Sequence, residues 1–184
     1  MESSISSGPT RRSCGSAMDT SGAALETPLG WAAAAARNGR VVAVSLPATS
    51  REAAVRGLGI DADFSRPDDV LKALAGDLQR YFAGERVSFE RYQVDLGDQP
   101  PFLARVLRAA RTIPHGQLRS YGWLAAAAGN PRAARAAGQA MARNPLPIVI
   151  PCHRVIAANG GLGGFGGGLK MKRALLALEG VRLT

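Results

Sequence analysis

The stretch SYGWLAAAAGNPRAARAAGQAMAR, from Ser120 to Arg143, decides the fold. Ser120 is a residue type that caps helices, and the alanine-rich run after it stops at Gly129, as helices commonly do. Asn130 predicts a second cap, with Pro131 in the first helical position, where its missing N–H has no cost. Two helices joined by so short a turn predict a helix-turn-helix.

The second of these helices, PRAARAAGQAMA, is poor in bulky side chains. Arg132 and Arg135 project from a surface of alanine and glycine. Such a helix allows its backbone to approach another surface closely, and an arginine on it could enter a DNA groove or replace a base in the stack. Close packing against a neighbouring helix explains these residues equally well on their own.

Helical and strand-like patterns alternate before this motif. A helix is expected to begin at Pro100 or Pro101 and to stop near Ile113, because the following proline restricts the residue before it. Further upstream, the pieces RVVAVSLP and VSFERYQVDL are strand-like, and apolar residues recur at helical spacing from Asp68 to Phe82. The patterns predict a small α+β unit followed by a mainly helical one.

The composition along the chain predicts its division into parts. The first residues are rich in serine, glycine and threonine and cannot bury enough apolar surface to order themselves. We therefore predict a disordered tail (1–26), an α+β scaffold domain (27–95), a linker (96–100) and a second, mainly helical domain (101–184).

The charge is unevenly distributed. Residues 1–98 contain 11 basic and 13 acidic side chains, whereas residues 99–184 contain 12 basic side chains and a single acid, Glu179. A cationic surface attracts phosphates from a distance and gains affinity by releasing their counterions. The second half is therefore expected to face a nucleic acid, although surface arginine also serves solubility alone.

The cysteine and histidine content excludes several classes of site. The chain has two cysteines, Cys14 and Cys152, and two histidines, His115 and His153. Neither a disulfide framework nor a CxxC zinc site is available, so no metal and no cofactor are expected.

No apolar run approaches the ~18 residues of a membrane helix, and the opening residues lack the apolar block of a secretory signal. We expect a cytoplasmic, nucleoid-associated monomer without a membrane partner.

Residues 144–156, NPLPIVIPCHRVI, deliver Cys152, His153 and Arg154 in succession. Reactive cysteines work as thiolates, and a nearby histidine or cation lowers the pKa of a thiol. Adjacent side chains of an extended segment point to opposite faces, so His153 is expected to reach the sulfur through a water or a sharp turn. A lone cysteine in an apolar run is, however, more often an inert core thiol.

A catalytic histidine needs a carboxylate to orient it, and Glu179 is the only acid in the second half. It falls in the last turn of the predicted helix LKMKRALLALEG, where a negative charge opposes the helix dipole. A specific partner is therefore expected for Glu179. The glycine-rich stretch AANGGLGGFGGGLK before this helix suits a loop that passes close to a ligand.

Four stretches now occur in the order and spacing of a known family: IPHGQLRSYGWLA, GNPRAARAAGQAMARNP, IPCHRV and LLALEG. From about Phe102 to Gly180 the chain resembles the catalytic domain of O6-alkylguanine-DNA alkyltransferases, also called methylated-DNA–protein-cysteine methyltransferases. The segment from ETPLGW to YFAGE is more weakly similar to their N-terminal domain. The resemblance implies an α+β/α fold: a small ribonuclease-H-like α+β domain, then a mainly helical domain with a winged-helix-like helix-turn-helix.

The resemblance also implies roles for five catalytic residues. Cys152 would accept the alkyl group, His153 would deprotonate it through a water, and Glu179 would polarise the histidine. Asn144 would orient the loop that carries the cysteine. Tyr121 would help to rotate the target nucleotide and donate a proton toward guanine N3.

The implied partner is double-stranded DNA containing alkylated guanine. Arg135 would occupy the place of a flipped base. The small residues expected to meet the minor groove are Ala133, Ala134, Ala136 and Gly138. The residues expected to line the base pocket are Pro147, Val155, Phe165, Gly166 and Gly167. Many relatives have a tyrosine where this chain has Phe165, so a hydroxyl contact is missing and a roomier pocket is expected.

The implied activity is the irreversible, stoichiometric transfer of the alkyl group of O6-alkylguanine to Cys152. The residues leave open whether O4-alkylthymine is also a substrate. Two alternatives are a noncatalytic lesion sensor, against which Cys152 itself argues, and a Cys-His-Glu hydrolase, which would not explain the arginine-bearing alanine helix.

Overall fold

The computed structural model describes residues 20–182, which form a small sheet followed by a mainly helical part. The strands are Thr20–Thr27 (β1), Gly30–Arg37 (β2), Arg40–Val44 (β3), Arg119–Ser120 (β4) and Val155–Ile156 (β5). The helices are Arg51–Arg56 (α1), Asp69–Phe82 (α2), Pro101–Arg111 (α3), Tyr121–Ala127 (α4), Ala134–Ala142 (α5) and Gly168–Leu178 (α6). Among these residues, no helix has both the length and the apolar character needed to cross a membrane.

Strands β1, β2 and β3 form an antiparallel sheet in sequence order. Asn38 and Gly39 both have positive φ, which is the backbone of the tight turn whose twist matches a two-stranded hairpin. The alanines 32–36 of β2 are fully buried and alternate between two apolar clusters, one against α2 and one against α1. The sheet is therefore covered on both faces.

Helix α2 occupies the range expected from its apolar spacing. The side chain of Asp68 caps it by accepting a hydrogen bond from the Leu71 N–H at 2.8 Å. Leu71, Leu74 and Leu78 lie on its buried face, and the helix ends with Tyr81 and Phe82, which are also buried. The predicted helix is confirmed.

One apolar cluster joins the sheet to the helical part. It contains Leu74 of α2 together with Leu107 of α3, Leu124 of α4 and Val155 of β5. Each of these four residues has no exposed surface. This shared core lets a side chain of α2 reach residues near the C-terminus.

The helix-turn-helix is present with a later start to its second helix. Ser120 caps α4 by accepting a hydrogen bond from the Trp123 N–H, and Gly129 follows the helix with φ of +85°, as predicted. The expected cap at Asn130 is wrong. Its carbonyl accepts a 3.0 Å hydrogen bond from the Ala133 N–H, which closes a turn, so α5 begins only at Ala134.

Two predictions about the first half are corrected. Residues 20–26 belong to β1 rather than to a disordered tail, because pairing with β2 satisfies the backbone groups on one side of the strand and the fold buries Ala23 and Leu25. Residues 1–19, including Cys14, lie outside the described residues. The segment VSFERYQVDL is not a strand: apart from one bridge to β3, its backbone is irregular, and Arg111 donates to the carbonyls of three of its residues.

Candidate active site

Cys152 is held at the end of a loop that Asn144 closes. The Asn144 side chain donates to the Ile150 carbonyl at 2.8 Å and accepts from the Leu146 N–H at 3.0 Å. Between them, the buried Ile148 has φ of +74°, a conformation that costs energy for a β-branched residue. Packing and the Asn144 hydrogen bonds therefore impose a fixed shape on the loop.

Cys152, His153 and Arg154 form a single 3₁₀ turn rather than an extended segment. The Arg154 N–H donates to the Pro151 carbonyl at 3.0 Å and closes the turn, so the backbone here is a sharp turn, one of the two possibilities that the sequence left open. Cys152 is 8% exposed, and burial raises the pKa of its thiol, which the Asn144 amide and the charge of Lys172 only partly oppose. Deprotonation of this thiol therefore needs a base.

His153 is fully buried and paired with Glu179. Its Nε2 lies 2.7 Å from Glu179 Oε1, and its Nδ1 is buried without a hydrogen-bond partner among residues 20–182. Burial lowers the pKa of His153, with partial opposition from Glu179. The imidazole is therefore neutral, with its proton on Nε2 toward the carboxylate and a free lone pair on Nδ1.

Glu179 is the acceptor at the centre of this network. It accepts from the Tyr81 hydroxyl at 2.8 Å, from Arg154 Nε and Nη2 at 2.9 and 2.8 Å, and from the Gly116 N–H at 3.0 Å. Burial alone would raise the pKa of its carboxyl, but the hydrogen bonds of His153 and Arg154 hold that pKa well below its usual range. Its position at the C-terminal cap of α6 is thus compensated by a buried arginine.

Three residues of the site were not among the five predicted catalytic residues. Arg154 turns away from the cysteine to bind Glu179, and Tyr81 comes from α2, far from both in sequence. Lys172 is fully buried, where it donates to the carbonyls of Val155 and Leu162. Burial lowers the pKa of Lys172 to about 8. A lysine on the apolar face of α6 was a signal in the sequence, whereas nothing local could have identified Tyr81.

A cavity of about 770 Å³ opens beside Cys152, between α5 and the glycine-rich loop. The predicted residues that line it are Tyr121, Ala134, Arg135, Gly138, Phe165 and Gly166. Further lining residues, which were not predicted from the sequence, are Gly122, Gln139, Met141, Ala142, Ala157, Ala158 and Gly164. Met141 and Ala142 follow Gly138 at helical spacing, so the pattern of α5 could have revealed them.

Three predicted pocket residues lie elsewhere. Pro147 and Val155 are buried away from the cavity: Pro147 forms a bridge with Ile150, and Val155 pairs with β4. A Cβ atom at Gly167 would lie 2.8 Å from Leu46, so this glycine serves packing against the sheet part. Ala133 and Ala136, which were predicted to meet the minor groove rather than the base pocket, lie at the start of α5 and outside the cavity lining.

Tyr121 stands between α5 and the glycine-rich loop. A Cβ atom at Gly163 would lie 2.9 Å from its hydroxyl oxygen, and one at Gly138 would lie 3.7 Å from its ring. Burial and the neighbouring Cys152 raise the pKa of Tyr121, so the phenol keeps its proton. The cavity therefore holds a thiol and a proton donor.

A second groove, of about 960 Å³, lies between α3 and the segment around residues 94–99. Its charged residues include Arg105, Arg108 and Asp95, but no cysteine or histidine lines it. The part of the chain that the structure describes also contains no cluster of histidine, cysteine and carboxylate side chains able to hold a metal ion. The cavity at Cys152 is the candidate active site.

Comparison with known proteins agrees with this geometry. A family model described as "6-O-methylguanine DNA methyltransferase, DNA binding domain" matches residues 101–181. A methylated-DNA–protein-cysteine methyltransferase of Mycolicibacterium paratuberculosis is 51% identical over 111 residues, which cover 59% of this chain and 66% of the relative. The chain thus spans slightly less than two thirds of the length of the mycobacterial curated relatives that it matches.

Solved structures extend the similarity to the sheet part. The Mycobacterium tuberculosis O6-methylguanine methyltransferase is 36% identical with a TM-score of 0.71, over 87% of this chain and 92% of that one. The structure of Mycobacterium tuberculosis OGT in complex with DNA is 38% identical with the same TM-score, over 86% of this chain and 91% of the other. The chain therefore belongs to the methylated-DNA–protein-cysteine methyltransferase family.

Proposed function

We propose that this protein repairs DNA by transferring the alkyl group of O6-alkylguanine in duplex DNA to Cys152, once per molecule. The observation that carries the proposal is the thiol itself. Cys152 borders an apolar cavity, and the residue after it in the same turn is a buried histidine paired with a buried carboxylate. Membership of the family supports the same reaction.

His153 is the proposed base. Because burial raises the pKa of the Cys152 thiol, the thiolate forms only when a neighbour takes the proton. The free Nδ1 lone pair of His153 is the available acceptor, reached through one water. Glu179 stabilises the imidazolium that results, since its own carboxyl stays ionised.

The transfer step follows from the positions of Cys152 and Tyr121. The thiolate attacks the alkyl carbon, so that a carbon–sulfur bond forms while the bond from that carbon to guanine O6 breaks and leaves its electrons on the base. Tyr121 donates a proton toward guanine N3, and the proton taken from the thiol replaces it. The products are neutral guanine and a thioether, which water does not cleave, so the protein acts once.

We assign DNA recognition to the helix-turn-helix and propose that it is winged-helix-like. The sheet part that precedes it in the sequence is proposed to be ribonuclease-H-like. A guanine inside a duplex must leave the stack before a buried thiol can reach it. Arg135 lies at the cavity and is exposed, as a side chain that replaces the flipped base must be. The small side chains of Ala133, Ala134, Ala136 and Gly138 allow α5 to approach the minor groove. The solved relative with bound DNA supports this partner.

One experiment tests the activity. The protein is incubated with duplex DNA containing O6-methylguanine, and the intact and peptide masses are recorded. We expect one methyl group per molecule, located on the Cys152 peptide, and none on the Cys152→Ser variant. Unmodified Cys152 with tight binding of the damaged duplex would indicate a lesion sensor, and multiple turnovers would indicate a hydrolase. Duplexes with O4-methylthymine form a separate arm that decides whether this base is also a substrate.

A further inference from the structure

Tyr81 is a buried phenol that joins the sheet part to the catalytic pair. It lies on α2 and is 1% exposed. Its hydroxyl donates to Glu179 Oε1 at 2.8 Å and lies 3.2 Å from His153 Nε2. The ring packs edge-on against Phe82 and Phe89, with centroids 5.4 and 5.8 Å away, which fixes the hydroxyl in place.

The proton positions of this triangle follow from its chemistry. An ionised carboxylate only accepts, so the Tyr81 hydroxyl must donate to Glu179. Its oxygen can then accept from His153, whose Nε2 proton is shared between Oε1 at 2.7 Å and the phenol. Burial, with the charge of Glu179, raises the pKa of Tyr81 far above its ordinary value, so the hydroxyl remains a donor.

Several donors bind Glu179 Oε1 and compete for it. Arg154 Nη2 also donates to this oxygen at 2.8 Å, while Arg154 Nη1 donates to the Ile113 carbonyl. Without the Tyr81 hydroxyl, Arg154 would bind the carboxylate more strongly than His153 does, because the guanidinium donor is charged and the imidazole donor is neutral. The Tyr81 hydroxyl keeps Oε1 directed toward the histidine.

We propose that Tyr81 is a positioning residue through which the sheet part of the protein orients His153, with the proton on Nε2 and Nδ1 turned to Cys152. The inference deepens the proposed function and rests on it. It assigns a role in the reaction to α2, for which the sequence indicated only a scaffold role.

The chain provides a matched control. Tyr92 is also a buried phenol of the first half, and its hydroxyl donates to the carboxylate of Asp77 at the same distance of 2.8 Å. Tyr81→Phe and Tyr92→Phe each remove one oxygen and one hydrogen bond to a carboxylate. Only the first loses a contact with His153.

The experiment compares the two variants in the full chain. Single-turnover rates with an O6-methylguanine duplex give the transfer rate constant and the Kd for DNA separately. We expect Tyr81→Phe to lower the rate constant about tenfold with an unchanged Kd, and to lower the reaction with free O6-benzylguanine by the same factor. Tyr92→Phe should react at the wild-type rate. In ¹⁵N NMR spectra, His153 should be a single Nε2–H tautomer in the wild type and in Tyr92→Phe, and a mixture in Tyr81→Phe.

Two further outcomes separate the proposals. Equal rates for both variants, or a His153 spectrum that Tyr81→Phe leaves unchanged, would overturn the positioning role. If the wild type transfers no methyl group from DNA, the rate of Cys152 alkylation by iodoacetamide still tests it. A slower rate in Tyr81→Phe than in Tyr92→Phe would then support the positioning role while the proposed function fails, and equal rates would overturn it.

Discussion

At the scale of single residues, the active site depends on keeping one histidine neutral inside the protein. His153 has no exposed surface, and burial lowers its pKa even though Glu179 lies 2.7 Å from it. Arg154 contributes to this by binding the same carboxylate. Its positive charge offsets the negative charge of Glu179, which would otherwise favour the protonated imidazole. In the proposed reaction, this neutral ring accepts the thiol proton.

This arrangement predicts that stability decreases in mild acid. The chain has two histidines, and burial lowers the pKa of both His153 and His115 in the folded state. Below their unfolded value of about 6.5, the unfolded chain binds protons that the folded chain does not, so the free energy of unfolding falls as the pH falls. We expect a decrease of up to about 1.4 kcal/mol per pH unit from His153, with less from the partly exposed His115. Urea unfolding at pH 7 and pH 5 measures it.

The controls for this prediction lie in the same network. His153→Gln should flatten the pH dependence between pH 7 and 5, whereas His115→Gln should retain most of it. Glu179 does not contribute to this window, because its pKa is well below the ordinary value and its stabilisation is lost only below about pH 4.3. A slope that survives His153→Gln would contradict the neutral, buried histidine.

At the scale of elements, the glycine-rich loop and α5 form the two walls of the cavity. Tyr121 projects between them from the start of α4. The loop is connected to the Cys152 region through the buried Lys172, which binds the carbonyls of Leu162 and Val155. A substitution in either wall should therefore change the reaction rate more than it changes the stability of the fold.

Gly163 and Gly160 separate backbone strain from contact with Tyr121. Both have positive φ, but a Cβ atom at Gly163 would lie 2.9 Å from the Tyr121 hydroxyl, whereas one at Gly160 would meet nothing within 4 Å. Gly163→Ala and Gly160→Ala should each cost about 1 kcal/mol of stability. Only Gly163→Ala should slow alkyl transfer, by about tenfold or more, because it displaces the proton donor. Single-turnover rates and urea unfolding check both; equal slowing by both variants would refute the explanation.

Arg135 of α5 should matter only when the base has to leave a duplex. Arg135→Ala is expected to slow repair of an O6-methylguanine duplex by about tenfold or more, since the vacated stack is no longer filled. The reaction with free O6-benzylguanine should change little. Arg143→Ala, at the exposed C-terminal cap of the same helix, removes an equal charge away from the cavity and is the control. Equal losses on both substrates would reject the role of Arg135 as the residue that fills the stack.

The elements differ in how far the sequence predicted them. Helix α2 and the capped α4 followed from local spacing and caps, and both are confirmed. The segment VSFERYQVDL had the residue types of a strand, but Arg111 binds its carbonyls in place of a neighbouring strand. A hydrogen-bond donor that is so distant in the sequence leaves no pattern within the segment itself.

The site shows the same division. The motif around Cys152 and the isolated acid Glu179 could be linked from the sequence, because each is chemically unusual in its surroundings. Tyr81 precedes His153 by 72 residues and lies on an ordinary amphipathic helix, so only the folded chain brings its hydroxyl to the carboxylate. The pKa of the thiol was also unpredictable, since it depends on burial rather than on neighbours in sequence.

At the scale of the whole molecule, the charge difference between the two halves becomes sharper in three dimensions. The single acid of residues 99–184, Glu179, is buried and paired. Of the twelve basic side chains, Arg154 and Lys172 are also buried, which leaves ten at the surface. Within the described part of this half, the surface thus carries cations without carboxylates.

This surface predicts a strong salt dependence of DNA repair that the chemical step does not share. If about six of these side chains contact phosphates, duplex affinity should fall about 10³-fold between about 50 and about 200 mM salt, because fewer counterions are released. The reaction with free O6-benzylguanine should remain nearly constant over the same range, since the charges of the active site are buried and only weakly screened. Fluorescence anisotropy of a labelled duplex and single-turnover rates with the free base measure the two effects. If both substrates lost rate in parallel, salt would be acting on the active site or on the fold, and the assignment of the basic surface to DNA would be wrong.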